Sequence, residues 1–181
     1  MALEQSCKNY LLTGRPGCGK TTVIRRLAER LGDLRLAGFY TQEMSEKGQR
    51  VGFEAISLSG RRALLAHVRA RSRHRVGRYC VQPEQLEPLV EEELAGAGEV
   101  DVYLIDEVGK MELSCPAFVE AVPRLLDGAV PVVLTVARKG QGLIAQVKDR
   151  VDVRLVTVTE ENRDGLPEEL EGWVRDRLRS P

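Results

Sequence analysis

A three-layer α/β fold, a mainly parallel sheet flanked by helices on both faces, is what this sequence predicts, on three observations. Apolar strand-like runs alternate with amphipathic helical ones along the chain. A glycine-rich turn joins the first strand to the first helix. A later apolar run, Val102-Tyr103-Leu104-Ile105-Asp106-Glu107, stops abruptly at two acids.

The elements follow in order. Residues 8–13 (KNYLLT) read as a short strand. Residues 20–31 carry apolar side chains at 23, 24, 27, 28 and 31, a helical spacing, and Gly32 suits the cap. Residues 36–43 and 51–58 look like strands, with the Gly48-containing turn between them closing an antiparallel hairpin inserted after the first helix. Residues 59–78 show no clear period and are expected to be largely loop. A short strand is expected over 77–82, then a helix over 83–94 with Pro83 in its first turn. Residues 101–106 form a buried strand and 116–126 a helix. The strand at 130–136 needs Pro131 where no ladder bond is made. A short helix over 142–148, a last strand over 153–158 and a terminal helix over 168–178 complete the chain. With 181 residues and no internal repeat, one domain over 1–181 is expected.

Composition excludes several classes. Only 4% of the residues are aromatic, so the core must rest on Leu, Val, Ile and Ala. No apolar run approaches the ~20 residues that cross a bilayer, so no membrane partner is expected. The first residues lack the basic and apolar regions of a secretory leader. Four scattered cysteines without a CxxC pair suit free thiols in a reducing cytosol, and a cytoplasmic monomer is expected. The net charge is zero but uneven. Arginines 61, 62, 69, 71, 73, 75 and 78 fall in a stretch without a single acid. Phosphates of RNA could meet that charge, but Tyr79 is the one adjacent stacking aromatic. A solvated basic loop, closing over a ligand, is favoured over nucleic-acid binding.

Gly14-Arg15-Pro16-Gly17-Cys18-Gly19-Lys20-Thr21 matches GxxxxGK[ST], the phosphate-binding P-loop, with Thr22 following. The chemistry needs this spacing. Backbone N–H groups can surround a polyphosphate only where the chain turns tightly, and glycines allow that turn without side chains in the way. The helix beginning near Lys20 aims its N-terminal N–H groups at the anion. Lys20 should reach the terminal phosphates and the Thr21 hydroxyl should ligate Mg²⁺.

Asp106, ending a strand expected to run beside the P-loop strand, is the second metal candidate, through a coordinated water. Glu107 points elsewhere and is placed to polarise an attacking water as general base. Gly109 gives room for close backbone approach to the phosphates. Lys110 could neutralise charge on the terminal phosphate with Glu112 orienting it or the water; equally, the two form a solvated pair on a turn.

These residues resemble a known family. The P-loop, Gly38-Phe39-Tyr40-Thr41, Val51-Gly52-Phe53, Val76-Gly77-Arg78-Tyr79, Ile105-Asp106-Glu107-Val108-Gly109-Lys110-Met111-Glu112-Leu113 and Glu161-Asn162-Arg163 stand in the order seen in THEP1-type nucleoside-triphosphatases. The DEVGKMEL block is the most specific of them. The resemblance implies a RecA-like P-loop fold and slow hydrolysis of ATP, GTP and other NTPs to NDP and phosphate. It also implies nucleotide contacts at Gly14–Thr21 and around Tyr103, Leu104, Ile105, Asp106, Glu107, Val108, Gly109 and Lys110.

A cation that stabilises transition-state charge would come from Arg78, Arg138 or Arg163, the last of which could instead clamp the base with Asn162. No NKxD signature for guanine occurs, in agreement with broad base use. The alternative chemistry is a nucleotide or small-molecule kinase with residues 61–78 as its lid; a nucleotide-dependent switch acting through a partner is a third. Glu107 beside the aspartate favours water as the acceptor.

Overall fold

The computed structural model describes residues 7–95 and 98–179. Five parallel strands carry the centre of the sheet: β1 (Asn9–Thr13), β2 (Leu36–Glu46), β7 (Val102–Val108), β8 (Val132–Val136) and β9 (Val153–Thr157). Because helices cover both faces of this centre, successive residues of one strand enter different cores. Tyr10, Leu12, Val102, Leu104 and Val133 join the layer formed by α1 (Lys20–Arg30) and α5 (Leu166–Arg179). Leu11, Tyr103, Ile105, Val132 and Leu134 face α2 (Pro83–Leu94), α3 (Pro116–Asp127) and α4 (Leu143–Lys148). Pro131 precedes β8, and its carbonyl accepts from the Tyr103 N–H. Among the described residues no helix is long and apolar enough to cross a membrane.

The full order is β5-β6-β4-β3-β2-β7-β8-β1-β9. Here β3 (Gln49–Ser57), β4 (Arg62–His67), β5 (Arg75–Val76) and β6 (Tyr79–Val81) form an antiparallel wing on the β2 edge. The β2–β3 turn is Lys47-Gly48, both with positive φ, the backbone that matches strand twist in a two-residue hairpin.

One expectation is extended and a second corrected. Residues 59–78, expected to be largely loop, also hold two strands that the sequence pattern did not place, β4 and β5. Leu65 and Ala66 of β4 are buried, while Arg62 within it and Arg61 and Arg69 on either side of it are met by acids from other segments: Arg62 by Glu54 at 2.6 Å, Arg61 by Glu92 and Arg69 by Glu46. These partners hide the strand pattern and absorb part of the positive charge. The expected hairpin insertion is therefore one part of a wider wing. Second, β7 does not run beside β1; β8 lies between them. The order β9-β1-β8-β7-β2 is the RecA-like arrangement, in which the acidic strand end is carried one strand away from the phosphate loop.

Candidate active site

The strand ends determine the site. β1 stops at Thr13, whose hydroxyl donates to the Val136 carbonyl at 3.0 Å and ties the ends of β1 and β8 together. The chain then turns through Gly14 to Gly19. Gly19 caps α1 with φ 108°, a conformation that a side chain would strain. With no side-chain cap at this end, the first-turn N–H groups are left for an anion.

Lys20 opens α1 and is buried, unusual for a lysine. Its Nζ lies 3.3 Å from Glu107 Oε2 and 3.5 Å from the Arg15 carbonyl. Thr21 Oγ1 donates to Asp106 Oδ2 at 2.7 Å. The same oxygen accepts from Thr41 Oγ1 at 3.0 Å and from the Thr41 N–H at 3.3 Å, while Oδ1 accepts from Thr135 Oγ1 at 2.6 Å. Asp106 is only 1% exposed. Donors from β2, β8 and α1 thus hold the carboxylate and offset its burial.

Glu107 projects elsewhere. Burial raises its carboxyl above the usual range, Lys20 opposes that rise, and the neighbouring Asp106 charge adds to it. Glu112, in the 3-10 turn Glu112–Ser114, is fully enclosed, and its carboxyl is pushed up to about 8 by burial, partly countered by its own backbone N–H. A Cβ on Gly109 would stand 2.9 Å from Glu112 Oε2 and 3.0 Å from Glu107 Oε1. Gly109 thus lets two carboxyls approach one another across the backbone. A solvated Lys110–Glu112 pair is ruled out, since Glu112 is buried while Lys110 is exposed.

Two cavities flank the phosphate loop. The larger, about 590 Å³, contains Lys20, Thr21, Thr41, Glu107, Gly109 and Lys110. The smaller, about 470 Å³, lies between Gly14, Arg15 and Cys18 on one side and residues 157–161 on the other. Arg138, following β8, lines both.

The structure brings together Gly14, Arg15, Pro16, Gly17, Lys20, Thr21, Glu107, Gly109 and Lys110 on the larger cavity, with Asp106 just beneath through Thr21 and Thr41. Tyr103, Leu104, Ile105 and Val108 are buried in the sheet. Arg163 and Thr22 stand on the outer side of the loop, in a depression with Gly19, and Arg163 is not brought to Glu107. Arg78 leans on the Tyr79 ring and donates to the Arg50 carbonyl, away from both cavities. Asn162 accepts from the Thr159 N–H at 2.8 Å and donates to the Thr157 carbonyl, shaping the wall of the smaller cavity. Sequence reasoning missed Thr41 and Thr135 as partners of Asp106. Their signal was a threonine just past the stretch of β2 that pairs with β7 and another next to the end of β8, legible only once the strand order is known.

Known proteins resemble this chain in sequence and in fold. The NTPase family model matches residues 9–171. The chain is 43% identical over 171 residues to the nucleoside-triphosphatase THEP1 of Thermofilum pendens, covering 91% of this chain and 94% of that protein. It is 37% identical to the mouse cancer-related nucleoside-triphosphatase homolog, over 88% of this chain and 92% of the relative. The crystal structure of THEP1 from Aquifex aeolicus superposes with a TM-score of 0.81 at 31% identity, covering 92% of this chain and 98% of the other. The solution structure of a human cancer-related nucleoside triphosphatase gives 0.79 at 35%, over 93% and 97%. With most of its length matched in sequence and in fold, the chain belongs to the THEP1-type nucleoside-triphosphatase family.

Proposed function

We propose that the chain hydrolyses nucleoside triphosphates, with Mg²⁺ and with broad base use, to the diphosphate and phosphate. The observation that carries this is the convergence of Lys20, Thr21 and Glu107 on one cavity beside the phosphate loop, with Asp106 bonded to Thr21 beneath it. The nucleoside fits the smaller cavity against residues 157–161, and the phosphates run along Gly14–Thr21 to the larger one.

Thr21 and Asp106 suit a magnesium ion. They offer one neutral and one anionic oxygen within 2.7 Å of each other, the few hard donors that Mg²⁺ takes from protein when phosphate and water complete its shell. Bound there, the ion would neutralise charge on the terminal phosphates. The chain's own groups do the rest. The loop N–H groups orient the polyphosphate. Lys20 exchanges its resting partner Glu107 for the terminal phosphate, which frees the Glu107 carboxylate. Glu107 then takes a proton from water as that water's oxygen bonds to phosphorus, and the bond to the bridging oxygen breaks. Lys110 and Arg138 stand where charge on the departing phosphate can be met.

The smaller cavity meets the base without an NKxD signature, which supports broad specificity. The thiols of Cys7, Cys18, Cys80 and Cys115 are free, as a reducing compartment such as the cytoplasm requires. The test is a phosphate-release panel over ATP, GTP, CTP, UTP and their deoxy forms, with and without Mg²⁺ and with no acceptor added. Release from several bases, dependent on the ion, supports the proposal. Release that needs an added nucleoside or sugar contradicts it and identifies a kinase.

A further inference from the structure

If the nucleoside sits against residues 157–161, as proposed above, the phosphate loop leaves much of the larger cavity unclaimed. The phosphates and their ion would take the side lined by Gly14–Gly17, Lys20 and Thr21. Yet it holds about 590 Å³, within the ~300–1,000 Å³ of small-molecule sites. Its far wall comes from the antiparallel wing and is apolar: Phe53 of β3, Leu65 of β4 and Val76 of β5, with Met111 opposite. A phosphate needs none of these side chains; Leu65 is buried, but Phe53, Val76 and Met111 are only partly covered, and apolar area left facing water forgoes about 25 cal/mol per Å². The wall is also braced. The Phe53 ring meets the Tyr79 ring edge-on, with centroids 5.1 Å apart, and the Arg50 guanidinium lies 5.6 Å from the Phe53 centroid.

The rim has the opposite character. Lys110, Arg138 and Lys139 line the same cavity and are exposed. Among the described residues none of their cationic heads has a hydrogen-bond or ion-pair partner. The facing acid, Glu107, is already paired with Lys20. An apolar wall facing a row of unpaired cations selects by shape on one side and by negative charge on the other.

We propose that the wing side of this cavity binds a second small molecule, one with a flat apolar body and a single anionic head, beside the nucleotide rather than in its place. The body rests on Phe53, Leu65, Val76 and Met111. The head meets Lys139, and also Lys110 and Arg138 when no terminal phosphate occupies them. Such an occupant lies across the approach to Glu107, so it is positioned to govern access of water to the terminal phosphate.

The test uses the full chain saturated with adenosine diphosphate and Mg²⁺, with nucleotide affinity measured separately by displacement of a fluorescent diphosphate. Anilinonaphthalene sulfonate is the probe, and uncharged phenylnaphthylamine is its control. The sulfonate should bind the nucleotide-loaded protein at one site and more tightly than the neutral compound. Val76→Asp, which sets a like charge in the wall, and Phe53→Ala, which removes the ring, should each weaken it by about tenfold or more with nucleotide affinity unchanged. Displacement of the sulfonate by the diphosphate, equal binding of the neutral compound, or wild-type binding in both variants would each overturn the proposal. Failure of the diphosphate to bind would instead overturn the hydrolase proposal, while the sulfonate titration of the two variants would still decide this one.

Discussion

Thr21 Oγ1 and Asp106 Oδ2 are 2.7 Å apart although 85 positions separate the residues in sequence. The hydroxyl opens α1 and the carboxylate lies near the end of β7, with β8 carrying Thr135 on the other carboxylate oxygen. The proposed ion would be held by this pair, the hydroxyl and the carboxylate each supplying one oxygen.

Asp106→Asn keeps the shape but halves the acceptors and removes the charge. It should abolish the Mg²⁺ dependence of nucleotide affinity and reduce phosphate release at least a hundredfold, while the fold persists. Asp106→Ala should also destabilise the protein, by about 1–3 kcal/mol, because the Thr135 and Thr41 hydroxyls lose their acceptor. Nucleotide titration at varied Mg²⁺ and urea unfolding check the two statements.

Lys20→Ala should weaken nucleotide binding by two orders of magnitude or more, since the buried ammonium sits at the base of the loop. It also leaves Glu107 without its resting partner. Displacement of a fluorescent nucleotide measures the loss; binding within a factor of three of wild type would remove Lys20 from the site.

Arg138 and Arg163 should separate. Arg138 lines both cavities, whereas Arg163 packs outside Gly19. Arg138→Ala should slow phosphate release by about tenfold or more, and Arg163→Ala should change it by less than about threefold. Turnover at saturating NTP checks the order, and the reverse order would move the functional cation to the outer depression.

The pH dependence of stability should carry a signature from Glu112. Its carboxyl is raised to about 8 in the folded protein by burial, against an ordinary 4.5. The folded state therefore holds a proton that the unfolded state has lost between those values. The contribution of Glu112 to stability is fully present below about 4.5 and is lost as pH rises toward about 8. Glu112→Gln removes this slope and should exceed wild type in stability most at pH 8–9, by an amount on the order of a few kcal/mol. Thermal unfolding at pH 6 and pH 9 checks it: a difference that does not grow with pH would show that Glu112 is ionised in the folded state.

How much of this was legible in the sequence follows from the range of each interaction. The phosphate loop and the acidic strand end are local patterns, so Gly14–Thr21 and Asp106-Glu107 could be read directly. The placement of β8 between β1 and β7 is a long-range choice, and no residue near Asp106 announces it. Thr41 and Thr135 were missed for that reason. In the wing, β4 reads as a basic loop because Arg62 in it and Arg61 and Arg69 beside it are balanced by Glu54, Glu92 and Glu46 from other segments. The two residues of β5 are too short to show any period. For Glu112 the sequence left two readings equal, orienting Lys110 or the water and a solvated pair with Lys110; burial places it beside Glu107 across Gly109.

The central claim is that Glu107 activates the water while the loop and its ion hold the phosphates. Single-turnover phosphate release from Glu107→Gln, with nucleotide affinity measured on the same preparation, tests it most directly. The account predicts affinity close to wild type and release slowed by roughly 10²–10⁴-fold. Release at the wild-type rate would contradict it.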